Sequence, residues 1–351
     1  MWCERHQSAF AERFVSRAGL RAVAAGFAPC GGSAEAGSEG FADVARFDDP
    51  RRAIAETGAG VLVMASASPP APNAPSPLDD ASFVGACRDA GVAMLSLEPC
   101  PSETGLVEAV EAAAKADAVV RTVPLLRSSR VFADALELVD QVGTIRSVAV
   151  HARSAPEHGT LGARLFDAMS AVERLIGLPD RVDCSITGGS VSGETATLRD
   201  LSGHATGHLR YSGGGSAGGR SAIVVVSNRA GGWFRGVTVM GDSGVLRFSD
   251  TRLELMSPTG EPLDRSTVEI AKPARIPRGA DLFATAAGDS VDDEAADLFA
   301  LEIKRALDPA LGQPTRAGVA EALAMCGTAL LSARTGAQED TQTIMDMRGK
   351  R

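Results

Sequence analysis

Aromatic side chains are scarce in this sequence, at 4% of 351 residues, and Tyr211 is the sole tyrosine. Sugar-binding faces and single-strand nucleic-acid platforms lean on aromatic rings, so either activity has to manage with few. Long apolar runs are missing as well. The longest, Gly58 to Ala65, is strand-sized and far short of the roughly 18 residues that cross a bilayer. The opening Met1-Trp2-Cys3-Glu4-Arg5-His6 has no apolar stretch behind a charged one, so no signal peptide is expected. Basic charge is in deficit: 44 acidic against 35 basic residues give a net −9, which argues against a nucleic-acid partner. Paired cysteines are lacking too. Cys3, Cys30, Cys87, Cys100, Cys184 and Cys326 are scattered with no C-x-x-C, which argues against a zinc site or disulfide framework and for reduced, buried thiols. A cytoplasmic protein is expected, with no membrane or nucleic-acid partner and no metal.

What is present is enough apolar residue, 44% against 23% charged, to fill two cores in a chain of this length. The first third alternates helix and strand patterns. A stripe at Ala11, Phe14, Val15 and Ala18 stops at Gly19, and Leu20 to Ala25 follows as a strand. A helix runs from Pro50 to Thr57, a buried strand from Val61 to Ala65, a helix from Asp80 to Ala90 and a strand from Val92 to Leu97. A helix from about Glu103 to Ala116 and a strand from Val119 to Val123 complete the series. Alternation of this kind is the signature of βαβ units and a parallel sheet. The Pro- and Ser-rich stretch Ser66 to Pro77 is then a loop at the carboxyl end of a strand, where open α/β sheets bind ligands.

The pattern changes after a helix from about Ser129 to Val142. Strand Ile145 to Ala152 and helix Leu161 to Ile176, closed by Gly177, lead into short strands and turns up to about residue 256, which read as an antiparallel sheet. Helices return at Asp293 to Leu307 and Thr315 to about Arg334, before a polar tail, Thr341 to Arg351, expected to fray. The only G-x-G-x-x-G, Gly213 to Gly218, precedes a strand rather than a helix and reads as a hairpin loop, not a phosphate cradle. His204 and His208 lie on one strand face, about 13 Å apart at ~3.3 Å per residue, too far to share a metal unless the chain bends there.

The segment Leu78 to Pro99, a helix closed by Ala90-Gly91 and a strand ending Leu97-Glu98-Pro99, resembles the stretch of the Gfo/Idh/MocA (glucose–fructose oxidoreductase/inositol dehydrogenase) family that finishes in Glu-Lys-Pro. Four further stretches agree in order. Val61 to Pro69 resembles that family's strand ending near Thr-Pro, and Val142-Gly143-Thr144-Ile145 its entry into the second domain. Phe166-Asp167 through Gly177-Leu178-Pro179-Asp180-Arg181-Val182 resembles its helix running into G-x-P-x-x-V. Leu331-Ser332-Ala333-Arg334-Thr335-Gly336 resembles its C-terminal Ser-Ala-x-x-Gly. The resemblance implies a Rossmann-like parallel sheet in residues 1–123 and an α/β domain in residues 124–351. That second domain would carry an open, mostly antiparallel sheet over about 145–256 and helices over about 293–335 that pack back toward the first. It also implies NAD or NADP as cofactor, a sugar, polyol or related small-molecule substrate, and a homo-oligomer formed through the second sheet.

Against that family pattern, His6 falls where a histidine follows the glycine loop. The first strand and loop are therefore expected to be missing, a shortfall of about thirty residues judged by βαβ length. Strand Leu20 to Ala25 would then lie beside Val61 to Ala65 only if another segment, or a void, takes the missing place. Its end, Gly26-Phe27, offers no acid for ribose hydroxyls. Glu98 falls at the family's lysine, and the substrate-facing helix positions read Asp167, Met169, Ala171 and Arg174. Glu98, Asp167 and Arg174 are the candidate catalytic residues, and Ser66, Ser68, Pro69 and Pro99 the candidate cofactor residues. Glu98 is either a site carboxylate at a strand end or a solvated acid preceding Glu103. Arg174 either serves the site or pairs with Asp167 or Ser170 at helical spacing. Three functions follow: a dehydrogenase of unusual residues, an inactive homologue kept as a binding or assembly module, or an N-terminally truncated gene product.

Overall fold

The structure is a computed structural model that describes residues 1–28, 41, 43–70, 74–115, 119–188, 197–212, 219–267, 290–308 and 318–348. Its first part runs β1 (Trp2–Cys3), α1 (Ser8–Arg17), β2 (Ala24–Phe27), β3 (Ala45–Phe47), α2 (Pro50–Thr57), β4 (Val61–Met64), α3 (Ala81–Asp89), β5 (Ala93–Ser96), α4 (Val107–Ala114) and β6 (Val120–Thr122). Local chemistry sets these bounds. Asp49 and Asp80 cap α2 and α3 by accepting main-chain N–H groups, and Gly58 closes α2 in the left-handed region at φ 61°. The six strands form one parallel sheet in the order β3-β2-β1-β4-β5-β6.

The first strand is therefore present, which corrects the expectation that it is missing. It is two residues long and central, pairing Trp2 with Gly26 on one side and with Met64 on the other. The expected strand at Leu20 to Ala25 is displaced to Ala24–Phe27. Gly26 is bare for a packing reason. A β-carbon there would stand 2.5 Å from the Trp2 indole, so the glycine makes room for a fully buried ring. Below this short strand, toward the amino ends of β2 and β4, a cavity of about 280 Å³ lies among Leu20, Ala22, Ile54, Val61 and Val63. Thus Trp2–Cys3 fills the carboxyl half of the central slot, next to that cavity.

The second part runs α5 (Arg130–Leu138), β7 (Ile145–Arg153), α6 (Leu161–Ile176), β8 (Arg181–Thr187), β9 (His204–Tyr211), β10 (Arg220–Ser227), β11 (Phe234–Gly241), β12 (Gly244–Ser249), β13 (Arg252–Met256), β14 (Pro262–Thr267), α7 (Ser290–Leu307), α8 (Val319–Thr335), β15 (Glu339–Asp340) and α9 (Thr341–Arg348). Its nine strands form a sheet in the order β14-β13-β12-β11-β7-β10-β9-β8-β15, with β7 and β10 parallel and every other neighbouring pair antiparallel. The tail expected to fray is ordered up to Arg348, because Glu339–Asp340 pairs with β8 and α9 follows on α8.

α6 lies across the second sheet and buries Leu165, Phe166, Met169 and Val172, each worth about 1.5–3 kcal/mol by area removed from water. α8 packs on α6 and β8. α7 instead reaches the first sheet. Phe299 meets Phe10 and Phe14 of α1 with ring centres 5.0 and 5.6 Å apart, and Ala295 to Ala306 share one apolar cluster with α1 and β4. β9 and β10 run antiparallel on either side of the glycine-rich stretch, whose own residues, 213–218, lie outside the described ones. His204 and His208 both sit on the outward face of β9. Cys30 lies outside the described residues; the other five cysteines are buried.

Candidate functional site

The switch point of the parallel sheet, where successive connections leave in opposite directions, lies between β1 and β4, and ligands of open α/β sheets bind at the carboxyl ends there. Glu4 occupies that place. Its Oε1 accepts from the Ser66 and Ser68 hydroxyls, both at 3.2 Å, and its Oε2 stands 3.4 Å from His6 Nδ1. Glu4 and Gln7 of the β1–α1 connection are bonded to each other and to the end of β4. Glu4 N–H donates to Gln7 Oε1 at 3.0 Å, Gln7 N–H to the Glu4 carbonyl at 3.0 Å, and Gln7 Nε2 to the Ala65 carbonyl at 3.1 Å. Pro69 is half-buried in the loop that carries the two serines.

Glu98 is not the solvated acid of one sequence reading. It is fully buried at the carboxyl end of β5, beside buried Pro99, and the Ser96 side chain braces its main chain. Its carboxyl docks on the start of α6. Oε1 accepts the Thr160 N–H at 2.8 Å and Oε2 the Thr160 hydroxyl at 2.6 Å. The same hydroxyl accepts the Ala163 N–H at 3.1 Å, so Thr160 caps its helix and anchors the other sheet at once. Burial pushes the Glu98 carboxyl up, partly countered by the Thr160 bonds and the Arg164 charge, to about 7.

Asp167, about two turns along α6 from Thr160, holds an ionic cluster. Its Oδ1 accepts the Leu126 N–H at 2.7 Å and its Oδ2 the Arg235 Nη1 at 2.9 Å. Arg235 extends the cluster to Asp250 through Nε at 2.8 Å, and Trp233 Nε1 donates to the same carboxylate at 3.0 Å. Arg164 lies fully buried over the Trp233 ring, 4.3 Å from its centre, with Nη1 3.9 Å from Asp167. Burial opposes the Arg235 charge, but Asp250 and Asp167 outweigh it and hold the guanidinium above its usual range. Arg164, with weaker partners, is pushed down by burial to about 10. Nearby Glu302 on α7 is buried, 3.2 Å from Arg305, and is raised by burial to about 7. His158 packs between Phe10 and Trp233 and is lowered by burial to about 3, so it stays neutral.

The structure thus brings Glu98 and Asp167 to one junction and sets Ser66, Ser68 and Pro69 beside Glu4 at the neighbouring strand end. It leaves Arg174 apart. Asp167 and Ser170 are buried while Arg174 is exposed, so the three do not form the polar face their spacing suggested, and Asp167 takes Arg235 as its partner instead. Glu4, Thr160, Arg164, Arg235 and Asp250 were not singled out from sequence. One signal was there: Arg235 falls in phase with inward-facing Val237 and Val239 on β11, and a charge in an apolar phase needs a buried partner. Among the described residues no group of three or more metal-ligating side chains occurs, and no helix is long and apolar enough to cross a membrane.

The raised carboxyls give a signed pH dependence. Both bind protons more tightly folded, at about 7, than at the usual 4.5, so they lose stability as pH rises through that window. A Glu98→Gln, Glu302→Gln variant is expected to gain on the wild type between those pH values by on the order of 3 kcal/mol per site, then run parallel. Urea unfolding of both proteins at a series of pH values measures the difference. A gap that stays constant with pH contradicts the assignment.

No family model and no curated protein matches the chain. Solved structures do. Levoglucosan dehydrogenase in complex with NADH and levoglucosan superposes at TM-score 0.59 and 13% identity, covering 97% of this chain and 98% of that one. An Agrobacterium radiobacter oxidoreductase in complex with NAD+, L-tartaric acid and magnesium gives 0.59 and 14%, with 98% of both covered. Myo-inositol 2-dehydrogenase from Lactobacillus plantarum gives 0.57 and 14%, with 97% and 98% covered. The likeness at these identities is one of fold, shared over the full length with Gfo/Idh/MocA-type oxidoreductases. The dinucleotide this fold implies does not suit the residues at the end of β1. A pyrophosphate needs free main-chain N–H groups and a positive field there, and it would meet the Glu4 carboxylate and a connection whose Glu4 and Gln7 N–H groups are already bonded.

Proposed function

We propose that this chain keeps the two-sheet scaffold of the sugar and polyol dehydrogenases as a binding and assembly module that works without a nicotinamide cofactor. The observation that carries the reading is Glu4. A carboxylate held by Ser66 and Ser68 already supplies the negative charge at the switch point, and a second anion would be repelled. Residues 1–123 and 124–351 are read as its two units. Self-association would use the outward face of the second sheet, where Ile223, Val225 and Met240 are 37–40% exposed on β10 and β11.

Calorimetric titration with NAD+, NADH, NADP+ and NADPH to millimolar concentration tests the proposal, with no saturable heat expected. Saturable binding together with turnover of myo-inositol or levoglucosan would sink it. That outcome would establish instead a dehydrogenase with rebuilt chemistry, a reading favoured by one observation: buried Glu98 and Asp167 stand at the junction of the two sheets with Arg164 beside both.

A further inference from the structure

The start of α6 has the chemistry of an oxyanion site. α6 is 16 residues long, so its first turn carries the positive end of a full helix dipole. Thr160 offers a main-chain N–H and a hydroxyl, both directed at one carboxylate. Arg164 adds a guanidinium from the same turn. Its Nη2 and Glu98 Oε1 lie 3.8 and 3.2 Å from where a β-carbon on Gly159 would stand, so the guanidinium flanks the bound carboxyl.

Two features separate this arrangement from an ordinary helix cap. First, the anion comes from the other sheet: Glu98 is 62 residues away in sequence, at the end of β5. Second, Arg164 is fully buried, yet its Nε and Nη1 have no hydrogen-bond partner among the described residues. A buried guanidinium with unmet donors is costly. A carboxylate or phosphate presents two or three oxygens to such a fork, whereas both Glu98 oxygens already take their hydrogen bonds from Thr160.

We propose that Thr160 and Arg164 form a binding site for a small molecule bearing a carboxylate or phosphate, and that Glu98 is a built-in competitor that fills this site while the two sheets are closed on each other. A ligand oxyanion displaces Glu98, takes the Thr160 donors and satisfies Arg164. Release of Glu98 removes one tie between the sheets, so occupancy and opening are coupled. The inference rests on the reading that the molecule is a binding module, and it supplies that module's ligand class.

Thermal unfolding of the full chain tests it, with inorganic phosphate and acetate as probes and chloride at matched ionic strength as control. Saturable stabilisation of the wild type by one probe beyond chloride is expected, and the stronger of the two identifies the oxyanion. Glu98→Ala removes the competitor and is expected to lower the half-saturating concentration at least tenfold. Thr160→Val added to Glu98→Ala should raise it again by tenfold or more. If Glu98→Ala does not fold, Glu98→Gln takes its place, since it keeps the shape and removes the charge. No wild-type response beyond chloride overturns the inference even where Glu98→Ala responds, because Glu98 is then a permanent structural partner. Dinucleotide binding in the calorimeter alongside an oxyanion response would instead overturn only the functional reading it rests on.

Discussion

Arg235→Leu is expected to destabilise the protein by about 3–5 kcal/mol, the range for breaking one side of a buried ion pair. The Arg235 guanidinium has no exposure and joins Asp167, itself 1% exposed, to Asp250. Leucine fills part of the volume but leaves the Asp167 carboxylate without its close partner, since Arg164 Nη1 is 3.9 Å away. A second variant separates charge from packing. Replacing Arg235, Asp167 and Asp250 together with apolar residues removes the charges in balance and should recover much of the loss. Urea midpoints supply the comparison. A loss below about 1 kcal/mol for Arg235→Leu would mean the cluster is not the anchor assigned to it.

Gly162→Ala is expected to cost more than its chemistry suggests. Within a helix, alanine normally gains up to about 1 kcal/mol over glycine, and less in the first turn, where Gly162 lies. Here the added methyl would stand 2.0 Å from the Leu198 carbonyl oxygen and 2.5 Å from its carbon. Those atoms are main chain, and Leu201 is fixed nearby by accepting the Leu161 N–H at 3.0 Å, so neither side yields without moving α6. Overpacking of this kind costs about 1–3 kcal/mol or more, enough to reverse the helix gain. The displacement should also reach Thr160 and Arg164 on the same turn, and hence the Trp233 indole that Arg164 covers. Guanidinium unfolding followed by tryptophan fluorescence reads both effects. A variant as stable as the wild type, with unchanged emission, would refute the close approach.

Elements with their own punctuation were legible in the sequence. α6 was read to the residue, because an apolar stripe runs its length and Gly177 ends it. α2 and α3 carry Asp caps and were placed nearly as well. β1 was missed because two residues cannot show a period, and only its central position makes it a strand. α9 was missed because polar composition says nothing about the short strand before it that ties it to β8. Glu98 could be singled out from its place at a strand end. Its partners could not, since Thr160 and Arg164 meet it only when the two sheets come together. Asp250 sits in a turn where an acid ordinarily meets water, and nothing in its local sequence announces the ion pair it makes with Arg235.

The dependence of α1 on α7 has a consequence in time. Phe10 and Phe14 leave the ribosome nearly 300 residues ahead of Phe299, which covers them. At about 5–20 residues per second, roughly 15–55 s pass before that cover exists. During synthesis the parallel sheet therefore carries an uncovered aromatic face, a substrate for chaperones and a hazard for aggregation. α7 therefore decides when α1 is safe.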